Sequence, residues 1–331
     1  MTFTNVGVVG GGAWGTALAQ TVCRAGRSTL LWAREPEVVA EIAARRTNTP
    51  FLPGVTLDPR LQATAALADV TACDVVLMVA PAQHVRATGA ALAPHLAPDK
   101  PVVICAKGLE QATAKLLAEV LGEALPQAML AVLSGPSFAA DVVRGLPTAL
   151  TLACADEAVG QRLAETLSSR PFRIYRSPDL VGVQLGGAIK NVLAIAAGIV
   201  EGKALGASAH AALVARGFAE MRRLGEALGA RSETLMGLSG LGDLLLTCGS
   251  PQSRNMSLGR ALGQGQDLAA ILAGRRSVAE GVYTAAAVVK AAAGKGIDMP
   301  IAQAVHAIVE GRQTVDQAID ALLSRPLRAE G

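Results

Sequence analysis

"VGVVGGGAWGTALA" (residues 6–19) carries the strongest structural signal in the chain. A short β-branched run leads into a stretch with the apolar spacing of a helix, and between them Gly10, Gly12 and Gly15 stand in Gly-x-Gly-x-x-Gly register. A strand that turns directly into a helix needs a tight bend, and the free N–H groups at the helix start form an anion site. Glycine at these three places permits the bend, the approach of a pyrophosphate and close packing of helix on strand. A glycine-rich turn that binds nothing would look similar. The surroundings favour the first reading, because further β-branched runs follow at 28–32, 74–80, 101–107, 128–134, 148–154 and 172–175, with helical stretches between them. That alternation predicts an α/β fold: an N-terminal Rossmann-like sheet, parallel and doubly wound.

After about residue 178 the β-like runs stop and helical periodicity takes over, as in "ARGFAEMRRLGEAL" (215–228) and "PIAQAVHAIVEG" (300–311). Pro178 and the N-cap candidate Asp179 mark the change. Two domains are expected: a dinucleotide-binding unit over 1–178 and an all-α substrate and catalytic unit over 179–331. "QLGGAIKNVLAIAAG" (184–198) belongs to the second, and its apolar residues recur along one helix face. Lys190 sits one residue off that stripe, and the small Gly186, Gly187 and Ala194 around it would let another backbone or a ligand come close. An ammonium in so tight a place is either snorkelling or a chemical tool.

Several function classes are disfavoured by composition. The chain has 331 residues, 51% of them apolar, which excludes disorder, and a net charge of +3 is too small to suggest nucleic acid as partner. No apolar run is expected to approach the roughly 20 residues that span a bilayer, and the N-terminus lacks the pattern of a signal peptide, so no stable membrane insertion is expected. The five cysteines (Cys23, Cys73, Cys105, Cys154, Cys248) are widely spaced in apolar surroundings and read as reduced core residues of a cytoplasmic protein. The four histidines (His84, His95, His210, His306) lack metal-ligand spacing, so no metal is expected.

Past the second strand, where an acidic residue would grip a ribose 2′-hydroxyl, stands Arg34, followed by Glu35. Arg34 suits the 2′-phosphate of NADP or stacking on adenine, Glu35 leaves NAD open, and a solvated surface arginine is the plain alternative. Trp14 is either packing filler or a flat wall beside the cofactor. Strand 101–107 delivers Lys107 to the carboxyl edge of the sheet, and "SGPSFA" brings Gly135 and Ser137 to the same rim. If Lys190 closes over that rim, two ammonium groups converge and one can give a proton to a ketone oxygen as hydride arrives. Ser253, Arg254 and Asn255, at a probable helix start, suit phosphate oxygens or an ordinary cap. Asp243, isolated among leucines, is either a helix cap or the partner of a catalytic lysine.

Together "GGGAWGTALA", "CAKGLE", "SGPSFA", "VGVQLGGAIKNVLAIAAG", "GLGDLLLTC" and "QSRN" resemble the bacterial-type NAD(P)-dependent glycerol-3-phosphate dehydrogenases, over residues 6 to about 310. The resemblance implies cytoplasmic reduction of dihydroxyacetone phosphate to sn-glycerol 3-phosphate for phospholipid synthesis. Lys190 matches the family's proton donor and acceptor, and Lys107 its second essential lysine. By the same resemblance Gly135, Ser137, Asp243, Ser253, Arg254 and Asn255 contact substrate, while Ala13, Trp14, Arg34, Lys107, Ala139, Arg254, Val278 and Glu280 contact cofactor. Two departures are the single valine in "SVAEG" around Val278 and Pro326 in the tail. A homodimer is expected. Competing readings are a related 3-hydroxyacid dehydrogenase or ketopantoate-type reductase, and a non-enzymatic NAD(H)-binding redox sensor.

Overall fold

The computed structural model describes residues 2–274 and 279–326. Its sheet comprises β1 (Asn5–Val9), β2 (Ser28–Trp32), β3 (Leu61–Thr64), β4 (Val75–Met78), β5 (Pro101–Ile104), β6 (Met129–Ser134), β7 (Thr148–Cys154) and β8 (Phe172–Ser177). Six helices connect them: α1 (Ala13–Arg24), α2 (Pro36–Arg45), α3 (Val85–Leu92), α4 (Leu117–Ala124), α5 (Ala139–Arg144) and α6 (Glu157–Leu167). The strand order is β3-β2-β1-β4-β5-β6-β7-β8. From β1 the chain winds outward to β3, then crosses back to β4 on the other side, so a crevice opens beyond the carboxyl ends of β1 and β4. The central strands β4 and β5, "VVLM" and "PVVI", are buried throughout, as a sheet covered on both faces requires.

Two features depart from the sequence reading. β3, "LQAT", is too short and polar to stand out, and it is held in place by parallel pairing with β2. The sheet is also not wholly parallel, because β7 runs antiparallel to β6. A parallel return needs a crossover that carries the chain back along the length of the strand. α5 has six residues, or about 9 Å of helix, too short to span the six residues of β6, so β7 sets off from the same end. The longer α6 restores a parallel crossover between β7 and β8.

After β8 no strand occurs among the described residues. The chain forms α7 (Leu180–Gly202), α8 (Ala207–Ala227), α9 (Ser232–Met236), α10 (Asp243–Cys248), α11 (Arg254–Gly263), α12 (Leu268–Ala273), α13 (Glu280–Gly294), α14 (Pro300–Val309) and α15 (Val315–Leu323). Pro326 lies past α15, outside any helix. Asp179 caps α7 as expected, its Oδ1 accepting from Gly182 N at 2.8 Å, and its Oδ2 accepts from Arg231 N at 2.8 Å.

α7 was expected to bury one face. Instead every residue from Gly182 to Val200 is buried, because other helices and the sheet enclose it on all sides. The expectation that no apolar run reaches membrane-spanning length also fails here: α7 has 23 residues and an 18-residue window of mean hydropathy 1.6, and its burial marks it as a core helix. Two loop residues that follow β5, Leu109 and Leu116, join this helical core, while Val183 of α7 packs with the sheet. All five cysteines are buried and free.

α7 meets α11 through glycines on both sides. A Cβ at Gly198 would lie 2.0 Å from Met256 O, and one at Gly259 would lie 1.9 Å from Ile195 O. Gly202 and Gly263 repeat the contact one turn on. Backbone thus packs directly on backbone, fixing α11 against the lysine-bearing helix. Gly259→Ala is expected to destabilise the fold by about 1–3 kcal/mol, as overpacked cores do. Gly294→Ala, whose Cβ meets nothing within 4 Å, should instead hold or raise stability. Paired urea denaturation curves check both.

Candidate active site

At the carboxyl end of β1 the chain turns through Gly10, at φ +130°, into α1. A Cβ at Gly15 would sit 1.8 Å from Gly10 O, so glycine there lets the helix lie on the turn. A Cβ at Gly12 would meet nothing within 4 Å, so this side of the turn is open. Gly12 caps α1 without a side chain, and no acidic residue stands in the first turn, which leaves the N–H groups and the positive helix end available to an anion. An open cradle with uncommitted donors fits a dinucleotide pyrophosphate. Ala13 and Trp14 form the first helical positions, and Trp14 and Ala139 pack against the same sheet core, which supports a packing role for the indole. Arg34 is 76% exposed and pairs with Glu35 at 3.2 Å, so neither side chain is tied to the protein interior. Val278 lies outside the described residues.

Lys107 follows β5 by three residues and donates from Nζ to Gly135 O at 2.9 Å and to Asp243 Oδ2 at 2.6 Å. Lys190, from the middle of α7, reaches the other carboxylate oxygen, Asp243 Oδ1, at 2.5 Å and Thr247 Oγ1 at 2.8 Å. Asp243 is fully buried at the start of α10. A buried carboxylate is tolerable only with donors of this kind, and the partner-of-lysine alternative is the one observed. Two ammonium groups around one carboxylate leave a net positive charge facing the rim. Burial pushes the Lys190 amine down to about 8, with Asp243 opposing that fall and Lys107 adding to it.

Thr247 escaped the sequence reading. Its hydroxyl donates to Asp243 O at 2.6 Å while accepting from Lys190, so it orients the amine. Its signal was available, since it lies four residues past Asp243 on the same helix face. The small residues beside Lys190 serve protein rather than ligand. A Cβ at Gly186 would lie 2.3 Å from Ser239 O, and one at Gly187 would lie 2.5 Å from Ser134 Oγ and 3.4 Å from Lys107 Cγ. Gly187 therefore admits the second lysine, not substrate.

Around this centre, Gly135 is held at φ +146° and its carbonyl also accepts from Ser137 Oγ at 3.0 Å. Ser253 caps α11, its Oγ accepting from Met256 N at 3.2 Å. Asn255 is buried and turned inward: its Nδ2 donates to Asn191 Oδ1 at 3.0 Å and its Oδ1 accepts from Gly281 N at 3.0 Å. Arg254 between them is exposed and within electrostatic reach of Glu280. Glu280 accepts from Ala82 N at 3.2 Å through Oε1, while Oε2 is buried without a hydrogen-bond partner. Burial raises the Glu280 carboxyl, against the Ala82 bond and the Arg254 charge. α13 thus reaches the loops after β4 and β5, through Glu280 at Ala82 N and through Lys290 Nζ, which donates to Ala112 O at 2.8 Å. Among the described residues no three His, Cys, Asp or Glu side chains gather as a metal site.

A dinucleotide cradle at the switch point of a doubly wound sheet, faced by a dry lysine on a helical second unit, defines a two-domain dehydrogenase of the nicotinamide-dependent class. Comparison narrows this further. The models for the N-terminus and C-terminus of NAD-dependent glycerol-3-phosphate dehydrogenase match residues 5–160 and 179–320. Glycerol-3-phosphate dehydrogenase [NAD(P)+] of Parvibaculum lavamentivorans is 59% identical over 100% of this chain and 99% of its own, and that of Caulobacter vibrioides is 58% identical over 100% of both. The crystal structure of glycerol-3-phosphate dehydrogenase from Coxiella burnetii superposes with a TM-score of 0.94 at 37% identity, over 98% of this chain and 99% of that one. The chain belongs to the NAD-dependent glycerol-3-phosphate dehydrogenase family.

Asp243→Asn would leave two cations facing a neutral amide. A loss of about 3–5 kcal/mol is expected, the cost of stripping a buried charge of its partner. The Lys190 amine should also fall further below about 8. Denaturation together with the pH dependence of amine labelling at Lys190 checks both.

Proposed function

We propose that this protein catalyses the reversible NAD(P)H-dependent reduction of dihydroxyacetone phosphate to sn-glycerol 3-phosphate, supplying the backbone of glycerophospholipids. The observation that carries the reading is the dry Lys190 amine, 2.5 Å from a buried carboxylate that also holds Lys107. When bound, the nicotinamide supplies the hydride. Lys190 Nζ gives its proton to the ketone oxygen during reduction and takes it back during oxidation. Asp243 fixes both amines, and the surplus cation leaves the cluster positive where an alkoxide develops. Thr247 holds the Lys190 amine in line, and Lys107, anchored on Gly135, adds a second donor at the rim.

Arg254 supplies a fork of donors to the phosphate. Ser253 assists, since a hydroxyl that accepts from Met256 still has its own proton to give, and Asn255 retains one amide hydrogen beyond the bond to Asn191. Gly135 and Ser137 complete the substrate wall. For the cofactor, Gly10, Gly12 and Gly15 with Ala13 take the pyrophosphate, Trp14 and Ala139 line the cleft, and Lys107, Arg254 and Glu280 border the nicotinamide end. Val278 belongs to this set through the family motif alone. Arg34 serves the adenosine end, where its exposed pairing with Glu35 suits either NAD or NADP. Residues 1–178 form the dinucleotide-binding unit and 179–331 the catalytic unit of a cytoplasmic homodimer without membrane insertion.

Initial rates with dihydroxyacetone phosphate, run side by side with NADH and NADPH and against a panel of 2-keto acids, test the reading. Turnover confined to the carboxylates would assign the site to another reaction, and cofactor binding with no turnover would make the protein a sensor. Lys190→Ala is expected to abolish most of kcat while cofactor affinity holds. Arg254→Ala should cost about 2 kcal/mol of substrate binding, roughly thirtyfold in KM. Because the proton donor is the charged amine, kcat/KM for reduction should be level below pH 8 and fall about tenfold per unit above it. Oxidation needs the neutral amine, so its rate should climb as pH rises toward about 8 and level off beyond.

A further inference from the structure

The glycine turn is bonded from beneath by a residue far outside its own motif. Asn48, in the loop between α2 and β3, is 1% exposed and lies beneath the β1–α1 turn. Its Nδ2 donates to Gly11 O at 2.9 Å and to Thr16 Oγ1 at 2.8 Å, and the Thr16 hydroxyl also reaches Gly11 O at 3.3 Å. Gly11 O can only accept, so the amide nitrogen must face it. The other end of the amide, Oδ1, is buried with no hydrogen-bond partner. An orphan acceptor is an expensive way to fill space. What the asparagine provides here is its donor.

In a trans peptide the C=O and N–H point in opposite directions. With Gly11 O drawn inward to Asn48, the Gly12 N–H is turned outward, on the side where a Gly12 Cβ would meet nothing. Glycines on both sides of this peptide make it easy to rotate, so an unheld plane would be free to turn its carbonyl toward the anion instead. We propose that Asn48 is a positioning residue for cofactor binding: it locks the Gly11–Gly12 peptide so that its N–H faces the pyrophosphate. The loop around Asn48 is itself pinned, with Thr47 and Thr49 donating to Glu41, Arg46 Nη1 donating to Pro59 O at 2.9 Å, and Asp58 N donating to Gln20 Oε1 at 2.8 Å. The brace therefore has a rigid footing.

This inference rests on the dinucleotide reading, and its test separates the two. Binding of ADP-ribose, which carries the pyrophosphate, and of adenosine, which lacks it, is measured by calorimetry on the full chain, wild type and variants, with melting temperatures alongside. Asn48→Asp, which sets a carboxylate against Gly11 O, and Asn48→Ala, which removes the donor, should each weaken ADP-ribose by about tenfold, the scale of one lost hydrogen bond to a charged group. Adenosine affinity should stay within a factor of about two. Thr49→Ala, which loosens the same loop without touching the glycine turn, should leave both ligands unaffected. Unchanged ADP-ribose affinity in a folded Asn48 variant, or equal weakening of both ligands, would overturn the brace. Failure of the wild type to bind ADP-ribose would overturn the dinucleotide reading and the brace with it.

Discussion

One carboxylate with no access to water holds two ammonium groups, and much of the architecture exists to make that possible. The Asp243 carboxylate can only accept and must be surrounded by donors; Lys107 and Lys190 provide them, while Thr247 donates to the Asp243 backbone carbonyl. The cost of drying three ions is offset by short mutual contacts, and the surplus positive charge remains at the rim. A neutral replacement core would be easier to build, which is why such a cluster is better explained by chemistry than by stability.

Bringing these groups together calls for backbone approach closer than side chains allow. Gly186 lets the segment before α10 lie on α7, Gly187 lets Lys107 in from the sheet, and Gly198 and Gly202 seat α11. The lysine-bearing helix thus carries its precision in residues that lack side chains. Lys190 is nearly sealed, and its amine is tuned to about 8, within reach of both protonation states near neutrality.

The β-branched runs and the glycine register made the sheet and its crevice legible in advance, since both are properties of short contiguous segments. β3 was hidden because four residues with a polar centre carry little pattern, and the reversal at β7 depended on the length of α5 rather than on any strand composition. In the site, Lys107, Lys190 and Asp243 stood out as charges in apolar runs. Asn48 did not, because an amide in a loop has no meaning until its partner from another segment is known, and Thr247 was legible only through its spacing from Asp243 on one helix face. The glycines near Lys190 were read as room for another backbone or a ligand, and the tertiary contacts show that protein fills it, backbone at Gly186 and side chains at Gly187. The burial of α7 on every side was hidden for the same reason, because enclosure by neighbours is not written in one helix.

Leu109 and Leu116 leave the sheet half of the chain and lodge among the helices, while Val183 goes the other way. Covalent order and packing order are therefore out of step at the junction. A chimera spliced at residue 178 with a foreign nucleotide-binding half would import the wrong plug and leave a hole in the helical bundle. The transferable module is larger than the strand count suggests, and the stretch that bears Lys107 has to travel with the helices it fills.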